Sequence, residues 1–385
     1  MGGIIVKVVI AIDSFKGSLS SMEAGIAAKD GILKACDGSN VIVKPLADGG
    51  EGTVESLVEG MNGSREKTYV TGPVGKKIEC IYGILPNSNT AIIEMASTAG
   101  LTLISEKERN PLNTTTFGVG EVIKEAIEKG CRNFIIGLGG SATNDAGVGM
   151  LQALGYEFLD KNGEKVGFGG KVLKDICFID EENKIKELEE CSFKIACDVN
   201  NPLYGQQGAA YIYGKQKGAS DEEIKFLDEG LIKFSEVVQR HFGIRRSDYP
   251  GAGAAGGMGF GFLTFLNAKL ESGIKIVLDE INLEKEILDA DYVITGEGRL
   301  DLQTSMGKAP IGIAKLAKKY NKKVIAFAGC TTEDALGCNE KGIDAYFSIV
   351  NGAMSLEEAM NKENAKKNME LTVYEVFRLI DIQSK

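Results

Sequence analysis

Short loops rich in acidic residues and glycine follow four strand-like runs of this sequence. They read DSFKGS (13–18), ADGGEGT (47–53), GEGRLD (296–301) and AGCTTED (328–334). In open α/β sheets, ligands bind outside the carboxyl ends of the parallel strands. We therefore expect one site at that edge of a sheet, and it would gather Asp13, Ser14, Lys16, Asp48, Glu51, Glu297, Arg299 and Asp301. The alternative for each single loop is that its Asp or Ser caps the following helix.

Two further segments end strand-like runs with polar residues. Residues 133–154, NFIIGLGGSATNDAGVGMLQAL, predict a strand, a Gly-Gly-Ser turn and a helix that begins near residues 143–145. Backbone N–H groups at such a turn and helix start favour anions, phosphate above all. Residues 193–205, FKIACDVNNPLYG, predict a strand that ends at Asp198.

A glycine-rich segment, PGAGAAGGMGFG (250–261), contains G-x-G-x-x-G at Gly251, Gly253 and Gly256. A dinucleotide-binding fold needs a strand directly before this motif, and the preceding SDYP has no strand pattern. A phosphate or adenine loop and a set of helix-packing glycines therefore both remain open. The sequence contains no G-x-x-x-x-G-K-[ST], so a Walker-type P-loop is excluded.

The elements that must position these loops alternate between strand and helix near both ends of the chain. Residues 4–12 and 41–46 are apolar runs typical of strands buried on both faces of a parallel sheet. Between them a capping box, Ser20 with Glu23, predicts the start of an amphipathic helix. Further strands are predicted at 291–298, 323–329 and 344–350.

The middle of the chain differs, because it contains apparent hairpins such as KKIECIYGILPNSNTAIIEM (76–95) and a charged segment at 160–190. The sequence therefore predicts an α/β protein in which a parallel-sheet domain is interrupted by an inserted second α/β domain. The expected boundaries assign 1–71 plus 286–385 to the terminal domain and 72–285 to the inserted one.

Composition narrows the function. The 385 residues include 44 Lys and Arg against 54 Asp and Glu, so the net charge is −10, which disfavours nucleic acid and anionic membrane as partners. A single histidine excludes multi-histidine metal sites, and eight cysteines without paired spacing are typical of reduced thiols. No segment resembles a signal peptide or a spanning helix, so a soluble cytoplasmic protein is expected.

Several motifs together resemble the bacterial-type (class I) glycerate kinases. They are DSFKGSLSS, PLADGGEGTVESL, TGPVG, IGLGGSATNDAGVGMLQALG, CDVNNPLYG, PGAGAAGGMG and ITGEGRLDLQTSMGKAP, and they occur in order over essentially the whole chain. One departure is Ile12, where proline is expected before the first Asp. The resemblance implies phosphorylation of glycerate with ATP and Mg²⁺, usually at the 2-hydroxyl, and a flavodoxin-like domain with an inserted α/β domain.

On this hypothesis, phosphoryl transfer needs positioning and charge stabilisation more than covalent catalysis. Asp48 is the candidate base, Lys16 binds a phosphate or the glycerate carboxylate, Asp198 assists catalysis, and Asp145 and Asp198 are candidate Mg²⁺ ligands. The further substrate or phosphate contacts are Ser14, Gly49, Gly50, Ser141, Thr143, Asn144, Glu297, Arg299 and Lys308, with Gly251, Gly253 and Gly256 as a nucleotide loop. Helix capping remains the alternative for Asp48, capping or a turn role for Asp145 and Asp198, and a solvated loop position for Lys16.

The favoured reaction is the conversion of D-glycerate to 2-phosphoglycerate by direct transfer in an interdomain cleft. Glycerate and ATP are then the small-molecule partners, and a homo-oligomer is possible. The alternatives are a kinase of another small hydroxy or sugar acid, a non-catalytic protein that binds an anionic metabolite, and a nicotinamide oxidoreductase.

Overall fold

The computed structural model describes residues 4–50 and 52–383. Within these residues it contains thirteen strands and fifteen α-helices. The strands are β1 (Lys7–Ile12), β2 (Asn40–Pro45), β3 (Ser64–Thr71), β4 (Lys77–Leu85), β5 (Thr90–Glu94), β6 (Asn133–Gly137), β7 (Glu157–Leu159), β8 (Phe178–Asp180), β9 (Ser192–Ala196), β10 (Lys269–Glu271), β11 (Tyr292–Leu300), β12 (Lys323–Thr331) and β13 (Ala345–Ser348). The α-helices are α1 (Ser21–Ala35), α2 (Thr53–Gly60), α3 (Ala96–Ala99), α4 (Phe117–Glu128), α5 (Val148–Ala153), α6 (Ala209–Tyr213), α7 (Asp221–Phe242), α8 (Ala254–Phe265), α9 (Gly273–Glu280), α10 (Leu283–Ile287), α11 (Leu302–Ser305), α12 (Ala309–Lys318), α13 (Gly337–Glu340), α14 (Leu356–Met360) and α15 (Lys362–Gln383).

The first unit, Met1–Asp48 with Glu55–Asn62 and Ile274–Lys385, is built on a five-stranded parallel sheet. Its strand order is β13-β12-β11-β1-β2. Numbered within this unit alone the order is 2-1-3-4-5, which is the flavodoxin-like order. The order reverses between β1 and β11, and the fold class expected from the sequence is confirmed.

Burial explains why these strands form where the sequence predicts them. Five of the six residues of β1 are buried, as a central strand covered on both faces requires. The predicted capping box is present at the start of α1: Ser20 Oγ accepts from the Glu23 N–H, and the Glu23 carboxylate accepts from the Ser20 N–H. Helices α1 and α15 pack over the sheet, where Ile10 and Phe377 are fully buried.

The second unit, Gly49–Val54 with Gly63–Gly273, holds a six-stranded mixed sheet in the order β10-β9-β6-β5-β4-β3. Strands β5, β6, β9 and β10 run parallel, while β3, β4 and β5 pair antiparallel in turn. The hairpin predicted within 76–95 is therefore confirmed as β4 and β5. The charged segment at 160–190 contributes a small hairpin of β7 and β8.

The first boundary expected from the sequence, 71/72, falls at the end of β3. In the structure β3 is hydrogen-bonded to β4 over its whole length, from Ser64 to Thr71, so by its contacts this strand is part of the second unit.

Glu51, one of the residues expected at the sheet edge, lies outside the described residues. In the part of the chain that the structure describes, no helix is long and apolar enough to cross a membrane.

Candidate active site

The carboxyl ends of β1 and β11 carry the acidic residues of the first unit. Asp13 follows β1 directly, and its backbone N–H donates to the Gly296 carbonyl of β11 at 2.9 Å, which fixes the start of the loop against the neighbouring strand. Glu297 lies in β11 itself. This is the position where the strand order reverses, and ligands of doubly wound sheets bind there.

A cavity of about 540 Å³ opens at this edge of the first unit. Its charged end is lined by residues from the loops after β1 and β2, from β11, and from the starts of α11 and α12. They are Asp13, Ser14, Lys16, Asp48, Glu297, Arg299, Asp301 and Lys308. The structure thus brings these sequence-predicted residues together in one place.

The Asp13 carboxyl in this cavity has a strongly raised pKa. Asp13 is 9% exposed, and burial, followed by the charge of Asp48, raises the pKa of its carboxyl to about 7. Glu297 adds to this rise, while the Ser14 N–H, which donates to Asp13 Oδ1 at 2.7 Å, and the Lys16 charge oppose it. A carboxyl with a pKa near neutrality can take and return a proton under physiological conditions.

Glu297 is held by its neighbours on the following helices. Thr304 Oγ1 donates to Glu297 Oε1 at 2.5 Å, and Lys308 Nζ lies 3.8 Å from Glu297 Oε2. Burial raises the pKa of Glu297, and these two contacts offset part of the rise. Lys308 is therefore kept at the cavity with its charge close to an acidic partner.

Asp301 and Arg299 differ in how firmly they are fixed. Asp301 caps α11: its Oδ1 accepts from the Thr304 N–H at 3.2 Å, and its own N–H donates to Thr304 Oγ1. The helix-capping alternative that the sequence left open for each of these loops is therefore present at Asp301. Arg299 Nε lies 3.5 Å from Asp301 Oδ2, and its side chain is 61% exposed, so the guanidinium can reach an anion in the cavity.

Lys16 is exposed and Asp48 is half-buried, and both line the cavity. Gly49, next to Asp48, must be glycine because of its backbone conformation and its close neighbours. Its φ is +87°, and a Cβ there would lie 2.5 Å from the Gly273 Cα and 2.9 Å from the Ala196 Cβ. Close packing of backbone inside the second unit therefore explains Gly49 without a ligand, and its predicted contact with substrate or phosphate stays a prediction.

The turn at residues 139–145 in the second unit is more buried than an open anion site. Gly139 and Gly140 are exposed, while Ser141, Thr143 and Asn144 are buried. The predicted helix start near 143–145 is wrong: α5 begins at Val148. Ala146 and Gly147 have φ values of +53° and +78°, and left-handed residues cannot belong to a right-handed helix.

Asp145 is fully buried and accepts four hydrogen bonds. Its Oδ2 accepts from the N–H and Oγ1–H of Thr116 and from the Gly149 N–H, and its Oδ1 accepts from the Gly147 N–H. Burial raises its pKa, and these donors oppose the rise. A metal ion would have to displace them, so the geometry favours the capping and turn role of Asp145 over the predicted Mg²⁺ ligand.

Lys217 is a buried charged residue that the sequence analysis did not single out. It is 2% exposed, its Nζ donates to the Thr143 carbonyl at 2.6 Å, and burial lowers its pKa to about 7, with the charge of Asp145 opposing that shift. Beside it, Thr143 Oγ1 and both side-chain polar atoms of Asn144 have no hydrogen-bond partner among the described residues. No sequence signal marks Lys217, since its neighbours are ordinary turn residues.

The remaining sequence-predicted residues of the second unit fall into two groups. Asp198 follows β9, is exposed, and its Oδ1 accepts from the Gly273 N–H at 3.2 Å. Gly251, Gly253 and Gly256 are buried, and a Cβ on Gly256 would lie 2.0 Å from the Thr143 carbonyl oxygen. The structure thus favours the helix-packing alternative for these glycines, and the predicted nucleotide loop is not accessible within this unit.

The described residues contain no preformed metal centre. Within residues 4–50 and 52–383, no group of three or more His, Cys, Asp or Glu side chains is placed to hold a metal ion. Mg²⁺ in phosphoryl-transfer sites commonly keeps several waters and binds one or two carboxylates plus the substrate phosphates. Of the two predicted Mg²⁺ ligands, Asp198 is exposed and Asp145 is fully buried.

A charged cavity at the switch point of a flavodoxin-like sheet, with a second α/β unit inserted in the chain, defines a two-unit α/β protein built to act on a small molecule. The chain belongs to the glycerate kinase family, whose family model matches residues 8–381. It is therefore an enzyme, a phosphotransferase with an alcohol group as acceptor, and not the non-catalytic binding protein or the oxidoreductase considered from the sequence.

Similar proteins span nearly the same length. A glycerate kinase of Haemophilus influenzae is 46% identical over 374 residues, which cover 97% of this chain and 98% of that one. A glycerate 2-kinase of Escherichia coli is 47% identical over 353 residues, 92% of this chain and 93% of that one. The crystal structure of a candidate glycerate kinase 2 from Salmonella typhimurium LT2 is 42% identical, has a TM-score of 0.91, and covers 99% of this chain and 100% of that one.

Proposed function

We propose that this protein transfers the γ-phosphoryl group of ATP to the 2-hydroxyl of D-glycerate, and that Asp13 is the proton acceptor. The observation that carries the proposal is a buried carboxyl of pKa about 7 at the charged end of a cavity at the switch point. The proton of the acceptor hydroxyl must leave as the oxygen–phosphorus bond forms. A general base is most effective when its pKa lies near the operating pH.

Asp48 has a different part in this proposal from the one the sequence suggested. Its charge is the largest electrostatic cause of the raised pKa of Asp13. Asp48 therefore tunes the base, whereas the sequence alone gave no reason to prefer Asp13 over Asp48. The earlier assignment of Asp48 as the base stays a competing prediction, and variants of both residues separate the two.

The cationic residues at the cavity supply charge stabilisation. Lys16, Arg299 and Lys308 line the cavity, and all three have side chains that are at least one third exposed. We propose that they bind the glycerate carboxylate and the transferred phosphoryl oxygens, with Ser14 as a further hydrogen-bond donor. Such preorganised charges stabilise the developing negative charge of the transition state.

Magnesium would neutralise the β- and γ-phosphate oxygens when bound with ATP. Asp198 stays the predicted Mg²⁺ ligand, because its side chain is exposed whereas that of Asp145 is buried. Activity should then require a divalent metal and be lost with EDTA. Full turnover in metal-free buffer would remove this role from Asp198.

Phosphorus NMR of the product made from ATP, Mg²⁺ and D-glycerate tests the proposal directly. The expected product is 2-phosphoglycerate with one ADP per phosphoester formed. L-Glycerate and other small hydroxy acids serve as controls for the acceptor. A 3-phosphoglycerate signal would overturn the choice of hydroxyl, and turnover with another acid but not with glycerate would overturn the substrate.

A further inference from the structure

The cavity of the first unit has an apolar side that a three-carbon acid does not explain. We define the apolar wall as six apolar residues that line the same cavity as the charged residues: Ile349, Met354, Leu356, Ala359, Met360 and Ala365. They lie after β13, in α14 and at the start of α15. Glycerate carries a carboxylate and two hydroxyls on three carbons, so it has almost no apolar surface to place against this wall.

The exposure of the wall is also unusual for side chains of this type. Leu356 is 75% exposed and Met360 is 38% exposed, although both line the same cavity. Exposed apolar surface that is continuous with a concave site marks a place where a ligand binds. Methionine side chains are flexible and polarisable, so they adapt well to flat aromatic ligands.

The apolar wall and the charged loop after β1 are in direct contact. A Cβ built on Gly17 would lie 2.8 Å from the Met360 Cε, and Gly17 directly follows Lys16. A ligand on the wall would therefore have its next groups beside Lys16 and the carboxylates. The site thus suits a molecule that is apolar and flat at one end and anionic at the other.

We propose that the nucleotide base of ATP lies against the apolar wall and that its phosphates extend toward Lys16. This inference rests on the proposed function and assigns the base-binding site. A volume of about 540 Å³ lies within the roughly 300–1,000 Å³ typical of small-molecule and cofactor sites. The glycine-rich segment predicted as a nucleotide loop is buried in the second unit, so it does not compete for this role.

A bulky substitution in the wall tests the proposal. Ala359→Trp would fill the space of the base, and Glu357→Trp is the matched control, since Glu357 is exposed on the same short helix and does not line the cavity. We expect Ala359→Trp to raise both the Kd of a fluorescent ATP analogue and the KM for ATP by about tenfold or more. The KM for glycerate should stay within about twofold of the wild type, and Glu357→Trp should change none of these values.

A ligand without a base separates the wall from the charged end. Inorganic tripolyphosphate has the phosphates but no base, so Ala359→Trp should leave its binding unchanged while weakening that of ATP. Leu356→Ser is the second variant, because an exposed side chain can be truncated without disturbing the core, and it should weaken ATP binding in the same direction. Equal weakening of both ligands, or a raised KM for glycerate with unchanged ATP binding, would overturn the proposal.

The two proposals fail in different ways. If the wild-type protein makes no phosphoglycerate from ATP and glycerate, the proposed function fails. If it makes phosphoglycerate and the wall variants bind ATP as the wild type does, only the position of the base is wrong.

Discussion

Replacing Asp13 by asparagine should abolish most activity and at the same time stabilise the protein. Asparagine keeps the size of the side chain, and its Oδ1 can still accept the hydrogen bond from the Ser14 N–H. It removes only the negative charge and the ability to take up a proton. The change therefore separates the chemistry of Asp13 from its structural contacts.

The magnitude of the stabilisation follows from the raised pKa. A carboxyl whose pKa rises from 3.8 in the unfolded chain to about 7 in the folded one holds its proton more tightly when folded. The stability of the wild type therefore falls as pH rises from about 4 to about 7, and the loss then reaches about 4 kcal/mol. Asparagine does not titrate, so the variant should be more stable by up to about 4 kcal/mol at pH 8 and by only about 2 kcal/mol at pH 5.

Two measurements on the same samples check this prediction. Turnover at pH 8 should fall by about 10²–10⁴-fold, the usual worth of a general base. Thermal unfolding should show a higher Tm for Asp13→Asn than for wild type, with a larger difference at pH 8 than at pH 5. Ser14→Ala is a control, because it leaves the carboxyl in place and should not produce this pH-dependent gain.

The reasoning has two separate points of failure. A variant that keeps turnover within about threefold of wild type would remove Asp13 as the base, since loss of a general base costs far more. A Tm difference that does not grow with pH would show that the carboxyl is not destabilised by burial and by the charge of Asp48.

Three further predictions concern residues whose roles the structure changes. Asp48→Asn removes the charge that raises the pKa of Asp13 most, so the acidic limb of the pH profile of kcat/KM should move to lower pH. A turnover loss as large as that of Asp13→Asn, without such a shift, would restore Asp48 as the base. Asp145→Asn cannot accept all four hydrogen bonds, so it should lose about 1–3 kcal/mol of stability in thermal unfolding, whereas a metal ligand would instead change the Mg²⁺ concentration needed for half-maximal activity. Gly49→Ala should lower the Tm more than Gly52→Ala, because both sites have positive φ but only a Cβ at Gly49 meets backbone atoms; equal losses would show that backbone strain alone decides.

The parts of the fold that the sequence predicted are those in which neighbours along the chain decide the structure. The capping box of Ser20 and Glu23 satisfies both partners within one helical turn. Strand β1 is recognisable because a continuous run of β-branched residues needs burial on both faces. The single histidine, His241, lies in the last turn of α7, where its Nε2 is 2.8 Å from Glu181 Oε1.

Predictions from the sequence were wrong or undecided where the same local pattern is compatible with two different structures. Glycines at Gly251, Gly253 and Gly256 suit a phosphate loop and a tightly packed backbone equally well, and only the distance to the Thr143 carbonyl decides between them. The start of α5 was placed too early because the left-handed conformations of Ala146 and Gly147 depend on contacts distant in the sequence, including the bond from the Ala146 N–H to the Gly256 carbonyl.

The choice between Asp13 and Asp48 shows the same limit at the candidate site. Each residue follows a strand-like run, and from the sequence Asp48 is the candidate base while Asp13 has no catalytic role. Three-dimensional neighbours separate them, because Asp13 is buried beside Asp48 and Glu297 while Asp48 is half-buried. The Asp13 carboxyl, whose charged form is costly to bury, thus lies where the strand order reverses, at the edge of the sheet where the cavity opens. A role in the reaction would account for the free-energy cost of burying this carboxylate. The proposed chemistry therefore depends more on Asp13 than on any other residue.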